Sequence, residues 1–139
     1  MNRQILSGDN ILLELKSESK DAAIERAGKL LVSRGYVKEN YINGMKAREE
    51  EVTTYMGNGV AIPHGMNEYK KDIMDSGIVI AQYPEGVDFG EGNIAYIVIG
   101  IAGRGEEHMQ ILSQIALRFN MKKMLKDLEM LKIKRKLLR

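Results

Sequence analysis

The sequence predicts an α/β fold, a single layered domain of sheet and helices over residues 1–139. Helical and extended patterns alternate along the chain. Two runs, "GIVIAQY" (Gly77–Tyr83) and "IAYIVIGIA" (Ile94–Ala102), are rich in β-branched residues and bounded by glycine, as strands are. A length of 139 residues with 44% hydrophobic side chains suits one domain with a real core.

Taken in order, "NILLEL" (Asn10–Leu15) reads as a short strand. Ser19 then caps a helix running through Arg34, with Ile24, Ala27, Leu30 and Leu31 on one stripe and Gly35 just past its end. A second helix spans Glu39 to Glu51, with Tyr41, Ile42, Met45 and Val52 as its apolar stripe. Arg48 interrupts that stripe, while Lys46, Glu49, Glu50 and Glu51 fit a solvated face.

"VAIPH" leaves a glycine turn as a short strand, and Pro63, lacking an N–H, belongs at a strand end or edge. The run Ile94–Ala102 is almost continuously apolar, which predicts a central strand buried on both faces. Between the two strong strands, "YPEGVDFGEGN" is turn-rich. "GRGEEH" opens a helix through Phe119 with Ile111, Leu112 and Ile115 inward, and Met121–Leu138 follows a helical pattern.

Composition excludes several classes. There is no cysteine, so disulfides, thiolate metal sites and cysteine nucleophiles are out. No run of about 18 apolar residues predicts membrane insertion, and the N-terminus has no secretory pattern, so the expected location is cytoplasmic. Residues 118–139 carry nine Lys/Arg against two Asp/Glu, leaving 12 basic and 17 acidic side chains before them. A basic tail without interleaved aromatics, on an acidic body that repels phosphate backbones, reads as a solvated helix face rather than a nucleic-acid surface.

Three residues are candidates for chemistry. His64 follows Pro63 at the end of an extended segment among Gly57, Gly59 and Gly65. Neutral imidazole is a competent nucleophile near its ordinary pKa of about 6.5. The local sequence by itself fits a structural turn histidine at least as well. His108 lies in the first turn of the helix after Gly105, where free N–H groups suit an anion, though a backbone carbonyl would satisfy it equally. Arg48, on an apolar stripe, either reaches to water or pairs with an anion. If the three meet, they compose a phosphoryl site, since phosphoryl transfer needs positioning and charge stabilisation above all. A metal site from the two histidines with Glu106 or Glu107 is a weaker alternative, because no HxH or HExxH spacing is present.

"AREEEVTTYMGNGVAIPHG" resembles the active-site signature of the EIIA components of the phosphoenolpyruvate-dependent sugar phosphotransferase system (PTS), mannitol/fructose class. "SKDAAIERAGKLLVSRGYVKENYINGM" before it and "GIVIAQYPEGVDFGEGNIAYIVIGIAGRGEEHMQIL" after it are similar to the same family. The likeness runs in order over roughly residues 5–117, and the QYPEGV and IGIAGRGEEH phrases are closest to the mannitol-specific members. It implies a single-domain mixed β-sheet flanked by helices. It implies that His64 accepts a phosphoryl group from the phosphocarrier HPr and passes it to a cysteine of a separate EIIB domain of the mannitol permease. Arg48 would then bind phosphate oxygens and His108 would donate a hydrogen bond to the phosphoryl group, with no cofactor or metal required. Val60, Ile62 and Met66 are candidates for an apolar docking surface around His64, with core packing as their other role. The basic ending at 118–139 departs from the family pattern. The rival reading is a PTS-type regulatory phosphoprotein of the fructose or nitrogen-related branch, against which His108 weighs.

Overall fold

A computed structural model describes residues 8–103 of the chain. Five strands form one mixed sheet: β1 (Ile11–Leu12), β2 (Tyr55–Gly57), β3 (Val60–Ala61), β4 (Gly77–Asp88) and β5 (Ile94–Ala102). Their order across the sheet is β1-β4-β5-β3-β2. β1 runs parallel to β4 and β3 parallel to β5, whereas the β4–β5 and β2–β3 pairs are antiparallel. Two helices, α1 (Lys20–Ser33) and α2 (Tyr41–Glu51), join β1 to β2, and a 3₁₀ segment, Asn67–Asp72, leads from β3 towards β4.

β5 is the middle strand, and Ala95, Ile97, Val98, Ile99, Ile101 and Ala102 are all buried on it. Successive side chains of a strand point to opposite faces, so both faces of β5 are covered, as its unbroken apolar run predicts. One face, with Val79 and Ala81 of β4 and Val98 of β5, packs against Ala23, Ile24, Ala27 and Leu31 of α1 and Met45 of α2.

α1 begins and ends where the sequence places it. The Ser19 side chain accepts from the Ala22 N–H at 3.1 Å. At the other end Gly35 N–H bonds to the Val32 carbonyl and Tyr36 N–H to the Leu31 carbonyl, both at 3.0 Å, the paired bonds of a Schellman motif. The side chains of Arg26 and Tyr83 both bond the Glu18 carboxylate beside this cap, which ties the start of α1 to β4.

Four expectations change. β1 is confined to Ile11–Leu12, because Glu14 takes a positive φ of 54° and breaks the ladder. β4 continues through the segment expected to be turn-rich, as far as Asp88. Tyr83–Gly86 bulge out opposite the single Tyr96 of β5, and a bulge admits Pro84 and Gly86 into a strand. The turn itself is short, with Phe89 and Asn93 bonded backbone to backbone at 2.8 Å.

β2 is an added element. Gly57 pairs with Val60, and the two residues between them, Asn58 and Gly59, have φ of 54° and 78°, the positive values a type I′ hairpin turn demands. The fourth change is in the stripe of α2, a helix that ends at Glu51 as expected. Val52 is extended and 64% exposed, while Glu49 is buried. The helices expected beyond residue 103 and the basic segment 118–139 lie outside the described residues.

Candidate functional site

The site forms where β3 ends beside the C-terminal end of β5. Past Ala61 the chain stays alongside β5: Ile101 N–H donates to the Pro63 carbonyl at 3.0 Å, and His64 forms a parallel bridge with Ile101. Pro63 has no N–H to leave unpaired, yet its carbonyl still serves the ladder. Ile62 N–H donates to the Thr54 carbonyl at 3.0 Å, so the histidine segment is held from both sides.

The His64 ring is half-buried, and its Nδ1 lies 2.8 Å from the Ile62 carbonyl oxygen. A carbonyl only accepts, so Nδ1 carries the proton, and in the neutral ring the lone pair is on Nε2. Burial lowers the imidazole pKa below its ordinary value and the Arg48 charge lowers it further; the Ile62 hydrogen bond and the Glu49 charge act in the opposite direction. The net lowering favours the neutral, nucleophilic ring at neutral pH.

Arg48 sits in the last turn of α2, where its Nη1 donates to the Val52 carbonyl at 2.5 Å. Its charge reaches His64, so the structure brings these two sequence candidates into one electrostatic unit. Among the described residues no carboxylate forms an ion pair with Arg48. A guanidinium with no carboxylate partner among the described residues, close enough for its charge to act on a neutral imidazole, is suited to an incoming dianionic group. His108, the third candidate, lies outside the described residues, as do Glu106 and Glu107 of the metal alternative. Among the described residues no group of three or more His, Asp or Glu is placed to hold a metal.

Two side chains at this site were not candidates from the sequence. The Tyr41 hydroxyl accepts from Gly65 N–H and donates to the Ile101 carbonyl, both at 2.8 Å. The Glu49 carboxylate accepts from Thr54 N–H at 2.9 Å and from the Thr54 hydroxyl at 2.6 Å. A signal for both was present: Tyr41, Met45 and Glu49 fall at i, i+4 and i+8, on one side of α2. Glu49 therefore belongs to the buried stripe and not to the solvated face. Of the two roles expected for Val60 and Ile62, docking surface or core packing, the structure shows core packing: they are 6% and 3% exposed, in and just after β3, which is flanked by β5 and β2. Met66 is only half-buried, and the large exposed apolar side chains on the preceding segment are Val52 and Met56.

Residues 4–139 match the model of the family described as "Phosphoenolpyruvate-dependent sugar phosphotransferase system, EIIA 2". The chain belongs to this EIIA family. Among its relatives, the mannitol-specific phosphotransferase enzyme IIA component of Geobacillus stearothermophilus is 50% identical over 117 residues, covering 84% of this chain and 81% of the relative. The crystal structure of IIA mannitol from Escherichia coli superposes with a TM-score of 0.75 at 45% identity, over 79% of both chains. The complex of enzyme IIAMTL and phosphorylated enzyme IIBMTL from Escherichia coli gives a TM-score of 0.75 at 44% identity, over 79% of this chain and 78% of that one. The mixed sheet with its flanking helices is thus the architecture of an EIIA mannitol domain, as the family resemblance implies.

Proposed function

We propose that this EIIA chain, as one domain over residues 1–139, is a cytoplasmic phosphocarrier for mannitol uptake, with His64 as its phosphoryl acceptor. Nε2 of neutral His64 attacks phosphorus in line. The bond from phosphorus to the HPr carrier breaks as the Nε2–P bond forms, and the departing carrier nitrogen keeps the electron pair. In the second half, a cysteine thiolate of the EIIB domain attacks phosphorus and returns the pair to Nε2. Throughout, the Nδ1–H bond to the Ile62 carbonyl holds the ring and stabilises the positive charge that develops on it. Arg48 and His108 bind the equatorial oxygens, where charge concentrates in such transfers.

The observation that supports this reading most directly is the Nδ1 hydrogen bond, because it leaves one defined nitrogen as nucleophile within reach of a cation that has no carboxylate partner among the described residues. The mannitol assignment is supported by the names of the relatives and by the EIIA–EIIB complex among the similar structures.

The test is reconstitution with phosphoenolpyruvate, enzyme I and HPr. Wild-type protein should acquire an acid-labile, base-stable phosphate that His64→Ala cannot acquire. Label retained on His64→Ala would remove His64 from the role. Adding the mannitol EIIB and its transporter should yield mannitol phosphate. Its absence, with His64 labelling intact, would favour the regulatory branch of the family.

A further inference from the structure

We infer that Glu49 is a positioning residue for His64: through Thr54 and Ile62 it fixes the imidazole with Nδ1 occupied and Nε2 free. The inference rests on His64 being the phosphoryl acceptor.

The connection is a continuous run of hydrogen bonds. Glu49 Oε1 takes both the N–H and the hydroxyl of Thr54. The Thr54 carbonyl takes Ile62 N–H at 3.0 Å. The Ile62 carbonyl takes His64 Nδ1–H at 2.8 Å. Every donor along this run has its acceptor, so moving Thr54 moves the carbonyl that sets the imidazole tautomer and tilt.

Glu49 and Thr54 are 5% and 2% exposed, so little water is available to replace these bonds. A buried carboxylate is costly, and Tyr41 and Met45 on the same side of α2 show that apolar side chains fill that stripe elsewhere. What an apolar residue cannot do is hold two donors of one threonine at once. The other oxygen, Oε2, has no hydrogen-bond partner among the described residues and stands 3.6 Å from Lys20 Nζ, a cation of opposite charge.

The charge has a second effect. Among the described residues, the charged groups acting on the imidazole are Arg48 and Glu49, and they oppose each other. Glu49 thereby limits how far burial and Arg48 weaken the basicity, and hence the nucleophilicity, of Nε2. Because Arg48 and Glu49 are consecutive in the last turn of α2, the cation that suits phosphate oxygens and the anion that tunes the nucleophile are carried together.

The experiment compares wild type, Glu49→Gln and Thr54→Val by histidine ¹⁵N–¹H correlation spectra across pH and by initial rate of labelling from phospho-HPr. Glu49→Gln removes the charge and keeps an oxygen that can accept from Thr54. Thr54→Val removes the hydroxyl and keeps the shape. In Glu49→Gln, His64 should titrate at lower pH than in wild type. In Thr54→Val the Nδ1–H tautomer should lose population, and the initial rate should fall on the order of tenfold, as misplacement of a reacting group produces. Both variants showing wild-type titration, tautomer and rate would overturn the inference. So would a slower rate with titration and tautomer unchanged, which would mark a purely structural pair. Absence of phosphate on wild-type His64 would instead reject the acceptor reading, and the spectra would still decide the positioning.

Discussion

The Tyr41 hydroxyl and the Gly65 N–H are bonded at 2.8 Å, across 24 residues of sequence. The same hydroxyl donates to the Ile101 carbonyl, so one buried oxygen joins the start of α2, the residue after His64 and the end of β5. Burial pushes the Tyr41 pKa up to about 12, so the hydroxyl keeps its proton and can donate and accept together at any physiological pH.

Tyr41→Phe should therefore leave an N–H and a carbonyl without their partner. A buried unsatisfied group costs about 1–3 kcal/mol. The expected result is a lower denaturant midpoint with an unchanged m-value, together with slower acceptance of phosphate by His64. A midpoint equal to wild type would show that water replaces the hydroxyl without loss.

The same contact makes Gly65 sterically critical. A Cβ there would stand 2.5 Å from Cε1 of the Tyr41 ring, closer than real contacts allow. Gly65→Ala should cost about 1–3 kcal/mol, as overpacking does. The double variant Tyr41→Leu/Gly65→Ala should lose less than the sum of the single losses, measurable as a coupling energy in denaturant melts. Strict additivity would place the clash elsewhere.

Arg48→Ala should fold, since the side chain is only half-buried and its hydrogen bond goes to the Val52 carbonyl at the helix end. Transfer from phospho-HPr should slow on the order of 10²-fold if the guanidinium stabilises the transferring group. His108→Ala is expected to slow it similarly. Rapid-quench labelling decides this, and near-normal rates in both variants would remove the assigned roles.

His64 supplies a pH prediction with a definite sign. Its folded pKa lies below the unfolded value of about 6.5, so between the two the unfolded chain binds more protons. The stability from the neutral ring is fully present above about pH 6.5 and is lost as pH falls through the window to the folded pKa. Labelling rate should also hold nearly level from pH 8 down to 6.5 and drop only below it, when phospho-HPr is held saturating. Titration of His64 at or above the ordinary value would contradict this. Compared with His64→Gln, the wild type should lose more stability between pH 7 and pH 5.

Much of this was legible in the sequence. Ser19 and Gly35 bound α1 because capping is local, a matter of residues within one turn of each other. β5 was legible from end to end, because burial on both faces leaves an unbroken apolar run. β2 is not legible in the sequence although Asn58–Gly59 is a strong hairpin signal, since a three-residue strand has too little alternation to read. The bulge at Tyr83–Gly86 is not separable from a turn by sequence, because proline and glycine mark both.

By itself, then, the sequence determined the layered α/β fold, the family and two residues of the candidate site, His64 and Arg48. Each of these lives in local pattern or in a long ordered likeness. Only the tertiary structure decided which nitrogen of His64 is held by a backbone carbonyl, that Glu49 is buried, and that Tyr41 clamps the segment after His64. Those facts depend on hydrogen bonds that close only when α2, β3 and β5 pack together, as with Tyr41 and Ile101, which are 60 residues apart. A residue's spacing on its own helix shows which side it faces; the partner waiting there is supplied by another part of the chain.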